Sequence, residues 1–167
     1  IYMKDRLNAS INVYTETDSE LYAQLGATVT GLGGDQPIAV DNAGNLIVRS
    51  GSGEFHTSPV QVTILKKGET IGKTIDFTLP ATGRCDFISA SGDIYSEEGG
   101  YVYFYCMEQT TVSRLHIKNG GASAADISVD KLDNATLTAG SSQSHVFTNI
   151  FGDLMTHTRD NNYKVLQ

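Results

Sequence analysis

The chain has 167 residues, 40% of them hydrophobic and 19% charged, which fits one folded domain with its own core and excludes a disordered polymer. A formal charge of −7 leaves no electrostatic footprint for nucleic acid or an anionic membrane, and Lys66-Lys67, the one adjacent basic pair, reads as a solvated turn. No run approaches the length of a transmembrane helix, so no membrane insertion is expected, while 17 glycines against three prolines suit many tight turns.

Residues 1–10 are ambiguous, with Ile1-Tyr2-Met3 a candidate strand end. The chain opens on Ile1 in what reads as mid-strand and carries no signal peptide, so its N-terminus is expected to be processed or cropped. Ile11 to Tyr14 alternates apolar and polar and reads as a strand. Thr15 to Ser19 is a polar turn, and the alternation of Leu21, Ala23 and Leu25 favours a strand over a helix across 20–29. Gly31 to Asp35 is a glycine-rich loop. It lacks both the dinucleotide spacing and the P-loop lysine, so no nucleotide cofactor is expected, nor any other cofactor.

Pro37 to Ser50 is a short apolar run, a polar turn with glycine, and a second run, the pattern of a β-hairpin. The pattern recurs in Phe87 to Ser96 and in Phe147 to Thr156. The shared kernels are Gly44-Asn45-Leu46, Gly92-Asp93-Ile94 and Gly152-Asp153-Leu154. Glycine there is expected to supply an unusual backbone angle, with Asn or Asp stabilising the turn. After the first copy come a loop at 51–58, a strand at 60–65, a turn at 66–69 and a strand at 70–79. After the second come a β-prone run, Tyr101 to Cys106, and strands at 112–118 and 124–129 about the turn 119–121. Val60 to Leu79 aligns with Val112 to Lys131, laying Ile64 over His116 and Ile75 over Ile127. Residues 133–144 form a polar linker, and the last strands fall near 145–149, 153–158 and 162–166.

The chain is therefore expected to be a single all-β domain, 1–167. Its units are a half at 1–30, full units at 37–79 and 85–131, and a half at 145–167. Repeats of this length with about four antiparallel strands each point to a β-propeller. Propellers close with four or more blades, so the expectation is a partial propeller or part of a larger ring, with a β-sandwich as the alternative. The hairpin Ile38 to Val48 resembles the inner strands of NHL-like propeller blades. Phe87 to Ile94, with Tyr101 to Phe104 and Arg114 to Gly120, resembles secreted propeller proteins of gut Bacteroidetes. That resemblance implies an extracytoplasmic binding or scaffold module, in the periplasm or at the cell surface, with a glycan or another surface protein as partner. It carries no catalytic residue with it. A propeller-type polysaccharide hydrolase or lyase is the alternative.

Signals for chemistry are sparse. His56, His116, His145 and His157 show no metal-ligand spacing, so no metal is expected. No Gly-x-Ser-x-Gly elbow is present. Glu97-Glu98 reads as a solvated turn before it reads as a catalytic pair. Tyr101, Tyr103 and Tyr105 share one strand face and Val102, Phe104 and Cys106 the other. The tyrosines suit either stacking on a sugar or packing against a neighbouring sheet. Function in repeat folds sits in loops on one rim, which makes Asp41, Asn42, Glu97, Glu98 and Tyr101 the candidate ligand-binding residues. Cys85 and Cys106 come opposite one another if residues 91–100 form one long hairpin loop, which would allow a disulfide. They lie two strands apart and stay free if Ile94 to Ser96 is a strand of its own.

Overall fold

The computed structural model describes residues 2–5, 10–16, 23–30, 37–50, 60–78, 85–106, 111–132, 145–149, 153–157 and 163–166. The loops read at 31–35, 51–58 and 133–144 lie outside them. The fold is all-β, with no α-helix among the described residues. Four antiparallel sheets follow one another along the chain, each a simple meander. Sheet I holds β1 (Tyr2–Asp5), β2 (Ser10–Glu16) and β3 (Ala23–Thr30). Sheet II holds β4 (Ile38–Val40), β5 (Leu46–Ser50), β6 (Val60–Leu65) and β7 (Lys73–Phe77). Sheet III holds β8 (Cys85–Gly92), β9 (Gly100–Cys106), β10 (Thr111–Ile117) and β11 (Ile127–Leu132). Sheet IV holds β12 (His145–Thr148), β13 (Leu154–His157) and β14 (Tyr163–Leu166).

Strand alternation decides how the sheets stack. Successive side chains point to opposite faces, so a sheet covered on both sides needs apolar residues at every position. β5 meets that requirement: Leu46, Ile47 and Val48 are all buried. Leu46 and Val48 join Ile11, Leu65, Tyr2, Val13 and Ile38 in a cluster between sheets I and II. Ile47 joins Ala39, Val62, Ile64, Ile75 and Phe77 in a larger cluster, which meets Ala90, Ile94, Val102, Phe104, Leu115 and Ile117 of sheet III. Phe77 and Phe104 touch there, with ring centroids 5.2 Å apart. The first strands of sheets II, III and IV lie side by side, β4 against β8 and β8 against β12.

Three readings of the repeat are corrected. In the second copy, Gly92 closes a strand and Ile94 to Ser96 is turn, so the hairpin's return arm is β9, starting at Gly100. Residues 94–99 are an insertion relative to the first copy, where Leu46 begins β5 directly after its turn. The strands expected at 70–79 and 124–129 are shorter or displaced: the first is Lys73–Phe77, and Ala124–Asp126 is a 3-10 turn that delays β11 to Ile127. That delay breaks the match of Ile75 with Ile127. Ile75 pairs with Val62 and faces sheet III, whereas Ile127 pairs with Ile117 and faces sheet II. The match of Ile64 with His116 survives, because both lie on the face of their sheet that points onward along the stack.

Candidate functional site

The repeated turns act as joints between sheets. Asp41 follows β4 and is 5% exposed. Its Oδ1 accepts the Ala43 N–H at 3.0 Å and the Asn45 N–H at 2.8 Å, an Asx turn that ties the chain back on itself. Its Oδ2 accepts the Asn45 side-chain amide at 2.8 Å and, from sheet III, the Ile94 N–H at 3.0 Å. Asn45 passes the link on, donating to Asp93 Oδ1 at 3.0 Å and accepting the Lys67 N–H on its Oδ1 at 3.0 Å. Asn42 exchanges a reciprocal pair with Gly92: its N–H donates to the Gly92 carbonyl at 3.0 Å, and its Oδ1 accepts the Gly92 N–H at 2.8 Å. Gly44 and Gly92 hold φ of 90° and 75°, the left-handed backbone that both turns require.

The third copy repeats the device with its residue types exchanged. The Asn149 N–H donates to the Asp153 carbonyl at 3.0 Å, just as the Asp41 N–H donates to that of Asn45. Asn149 also accepts the Asp153 N–H and donates to the Asp153 carboxylate. Thr148 ties sheet IV to sheet III, its N–H donating to Ser89 Oγ at 2.8 Å and its hydroxyl to the Ala90 carbonyl at 2.6 Å. Asp41 and Asn42 thus spend their polar atoms on assembly. Two phenols stand near the Asp41 carboxylate. Burial, then the charges of Glu69 and Asp41, push Tyr95 up to about 12, with a backbone hydrogen bond from Lys66 acting against them. Tyr2 is raised by burial and then by Asp41, and its hydroxyl donates to the Gly44 carbonyl at 2.8 Å.

The second half of the candidate set converges on sheet III. Glu97 and Glu98 are exposed in the inserted turn. The Glu98 carbonyl lies 3.0 Å from His116 Nε2, which therefore carries the proton and donates. The His116 ring stacks on Tyr101, centroids 4.4 Å apart at 17°. The Arg114 guanidinium stands over the same Tyr101 ring at 4.6 Å and pairs with Asp130 at 3.0 Å. Arg114 Nε is buried with no partner among the described residues. Tyr103 is 7% exposed and its hydroxyl meets Ser91 Oγ at 3.4 Å, whereas Val102 and Phe104 fill the core behind them. The side chain of Tyr105 lies outside the described ones.

The onward faces of sheets II and III therefore differ in composition. Sheet II presents Ala39, Ile47, Val62, Ile64, Ile75 and Phe77, with the charged Arg49 buried beside Val62. At the matching level sheet III presents Tyr101, Tyr103, Arg114, His116 and Asp130. β12 lies against β8 and β9, and the Arg114 and Asp130 side chains stay 31% and 51% exposed. Arg114 and Asp130 are residues that motif reading passes over. Strand alternation, combined with the pairing of Tyr101 with His116 and of Arg114 with Asp130, is the signal that finds them.

No group of three or more potential metal ligands comes together among the described residues. His145 and His157 are register partners in sheet IV, with side chains outside the described ones, as is His56 entirely. No helix among the described residues is long and apolar enough to cross a membrane. No protein-family model matches the chain, and no curated protein matches it either.

Proposed function

We propose that the chain is part of a propeller-type stack and works outside the cytoplasm as a non-enzymatic binding or scaffold module. Its partner is a glycan or another surface protein, met at the onward face of sheet III. Consecutive antiparallel meanders, first strands side by side and a middle sheet buried on both faces support the propeller reading. The single observation that carries the binding reading is the exchange of a mainly apolar, buried face in sheet II for a face in sheet III that carries Tyr101, His116 and the partly exposed Arg114–Asp130 pair. Interfaces favour Tyr and Arg because they combine apolar area with directed hydrogen bonds. The Tyr101 ring already carries His116 and Arg114 against it, so recognition runs through the partly exposed Arg114–Asp130 pair and the polar rim, not through open stacking on a sugar.

A glycan array, followed by titration with the parent chain and with Arg114→Ala and Tyr101→Ala, tests this reading. The expected result is a bound glycan, or a captured surface protein, that both variants bind at least tenfold more weakly while melting as the parent does. Binding unchanged in both variants removes this face from the function. Release of reducing ends from a polysaccharide would favour the hydrolase or lyase.

A further inference from the structure

The chain contains two cysteines, and the topology sets them opposite each other. Cys85 opens β8, Cys106 closes β9, and the two are partners across the antiparallel pair. An unbroken ladder would not bring them together. Phe87 pairs with Tyr105, so a regular register would put Asp86 across from Cys106. A register shift between Cys85 and Phe87 takes up Asp86 as the extra residue of a bulge and moves Cys85 into place. Bulges re-aim the strand they interrupt, and this one acts at the one step where it joins the two sulfur-bearing residues.

We propose that Cys85 and Cys106 form an intrachain disulfide. Directly opposed residues of an antiparallel pair stand roughly 4.5–5.5 Å apart at Cα, within the roughly 4.4–6.8 Å that a disulfide spans. The alternative arrangement, with a strand intervening at Ile94 to Ser96, is absent: β8 and β9 are hydrogen-bonded neighbours. The bond closes the hairpin at the end away from its turn. The turn end is already held by Asp41 and Asn42 through Ile94 and Gly92, so the disulfide fixes the end that this network does not reach. Formation removes two protons and two electrons from the thiols. A low-molecular-weight disulfide accepts the electrons: one thiolate attacks it to give a mixed disulfide, the second displaces the bound half, and two small thiols leave. The inference stands apart from the binding reading and from its test.

The protein is equilibrated with oxidised glutathione, denatured, and alkylated without reduction. The expected result is no label. Cleavage at Arg84 and Arg114 releases both cysteines in one peptide, since no Lys or Arg lies between them. That peptide should be lighter by two hydrogens than its reduced form. Further cleavage after Glu97 or Glu98 should leave the two halves joined until a reductant is added. Two labels per chain, or cysteine-linked dimers in place of the internal bond, would overturn the proposal. In the oxidised chain the thermal midpoint should stand roughly 5–10 °C above that of the reduced chain.

Discussion

Replacing Asp41 tests whether the repeated turn is a structural joint. Asp41→Ala removes the acceptor for the Ala43, Asn45 and Ile94 amides. Ala43 is exposed, so water takes over its amide; the bonds to Asn45 and Ile94 are buried and their donors are left without a partner. At roughly 1.5–3 kcal/mol for each hydrogen bond to a charged acceptor, the loss should be about 3–5 kcal/mol. Asp41→Asn keeps one acceptor oxygen but turns an NH2 group toward donors, either the Asn45 side-chain amide and the Ile94 N–H or the two turn amides. It should cost about 2–3 kcal/mol. The sharper test is the exchange D41N with N45D, which copies the Asn149–Asp153 arrangement. It should not rescue, because Asn45 donates to Asp93 at 3.0 Å and an aspartate at that position would face a second carboxylate. Urea unfolding reads these differences as midpoint shifts at constant slope. A loss below about 1 kcal/mol for Asp41→Ala, or a parent-like midpoint for the exchange, would refute the joint.

Stability should also fall in alkali. Folding raises Tyr95 to about 12 and raises Tyr2 as well, so the folded state favours the neutral phenols. Their contribution is complete below the ordinary tyrosine value of about 10 and is lost as pH climbs through the folded value. Urea midpoints between about pH 9 and 11 should drop for the parent and drop less for Tyr95→Phe; identical slopes would dismiss the linkage. A pair of glycine substitutions separates strain from crowding. Gly120 and Gly68 both hold positive φ, but an added Cβ meets the Tyr95 ring at 2.5 Å in the first and nothing within 4 Å in the second. Gly68→Ala should cost about 1–2 kcal/mol, and Gly120→Ala about 2–4 kcal/mol because the ring must move. Equal midpoints for the two would show that the Tyr95 contact carries no weight.

The fold class was legible because its signal is local. β6 falls on Val60–Leu65, and the turns at Gly44 and Gly92 carry the backbone angle that their glycines suggest. The errors arise where the chain changes length without changing its local pattern. Ile94 looks like Leu46 in sequence, yet a turn of 94–99 intervenes before β9, and Ile94 is buried as a plug beneath sheet III instead of leading a strand. Ala124 to Asp126 reads as strand by composition but is drawn into a turn by Asp126, which accepts hydrogen bonds from the Ser123 N–H and hydroxyl and from Asn119. The structural part played by two rim candidates was hidden for the opposite reason. Asp41 and Asn42 have the residue types of a binding turn, and each also bonds to the next unit, Asp41 to Ile94 and Asn42 to Gly92, a relation that separation along the chain conceals.

Divergence from the repeat locates function better than the repeat itself. A feature present in each copy serves what each copy must do, which is to turn, as the polar pairs Asp41–Asn45 and Asn149–Asp153 do. Ile64 and His116 occupy one position in successive sheets, both on the third strand opposite the second and both directed onward. Ile64 is fully buried and meets the requirement of stacking. His116 spends the same position on a hydrogen bond to Glu98 and a stack on Tyr101, with Arg114 and Asp130 completing the row. The Arg114 guanidinium pairs with Asp130, while its Nε is buried with no partner among the described residues, and burying that donor costs free energy which an apolar side chain would avoid. If the proposed recognition uses this face, the partly exposed Arg114–Asp130 pair, more than the acidic turn beside it, is where substitution should weaken binding most.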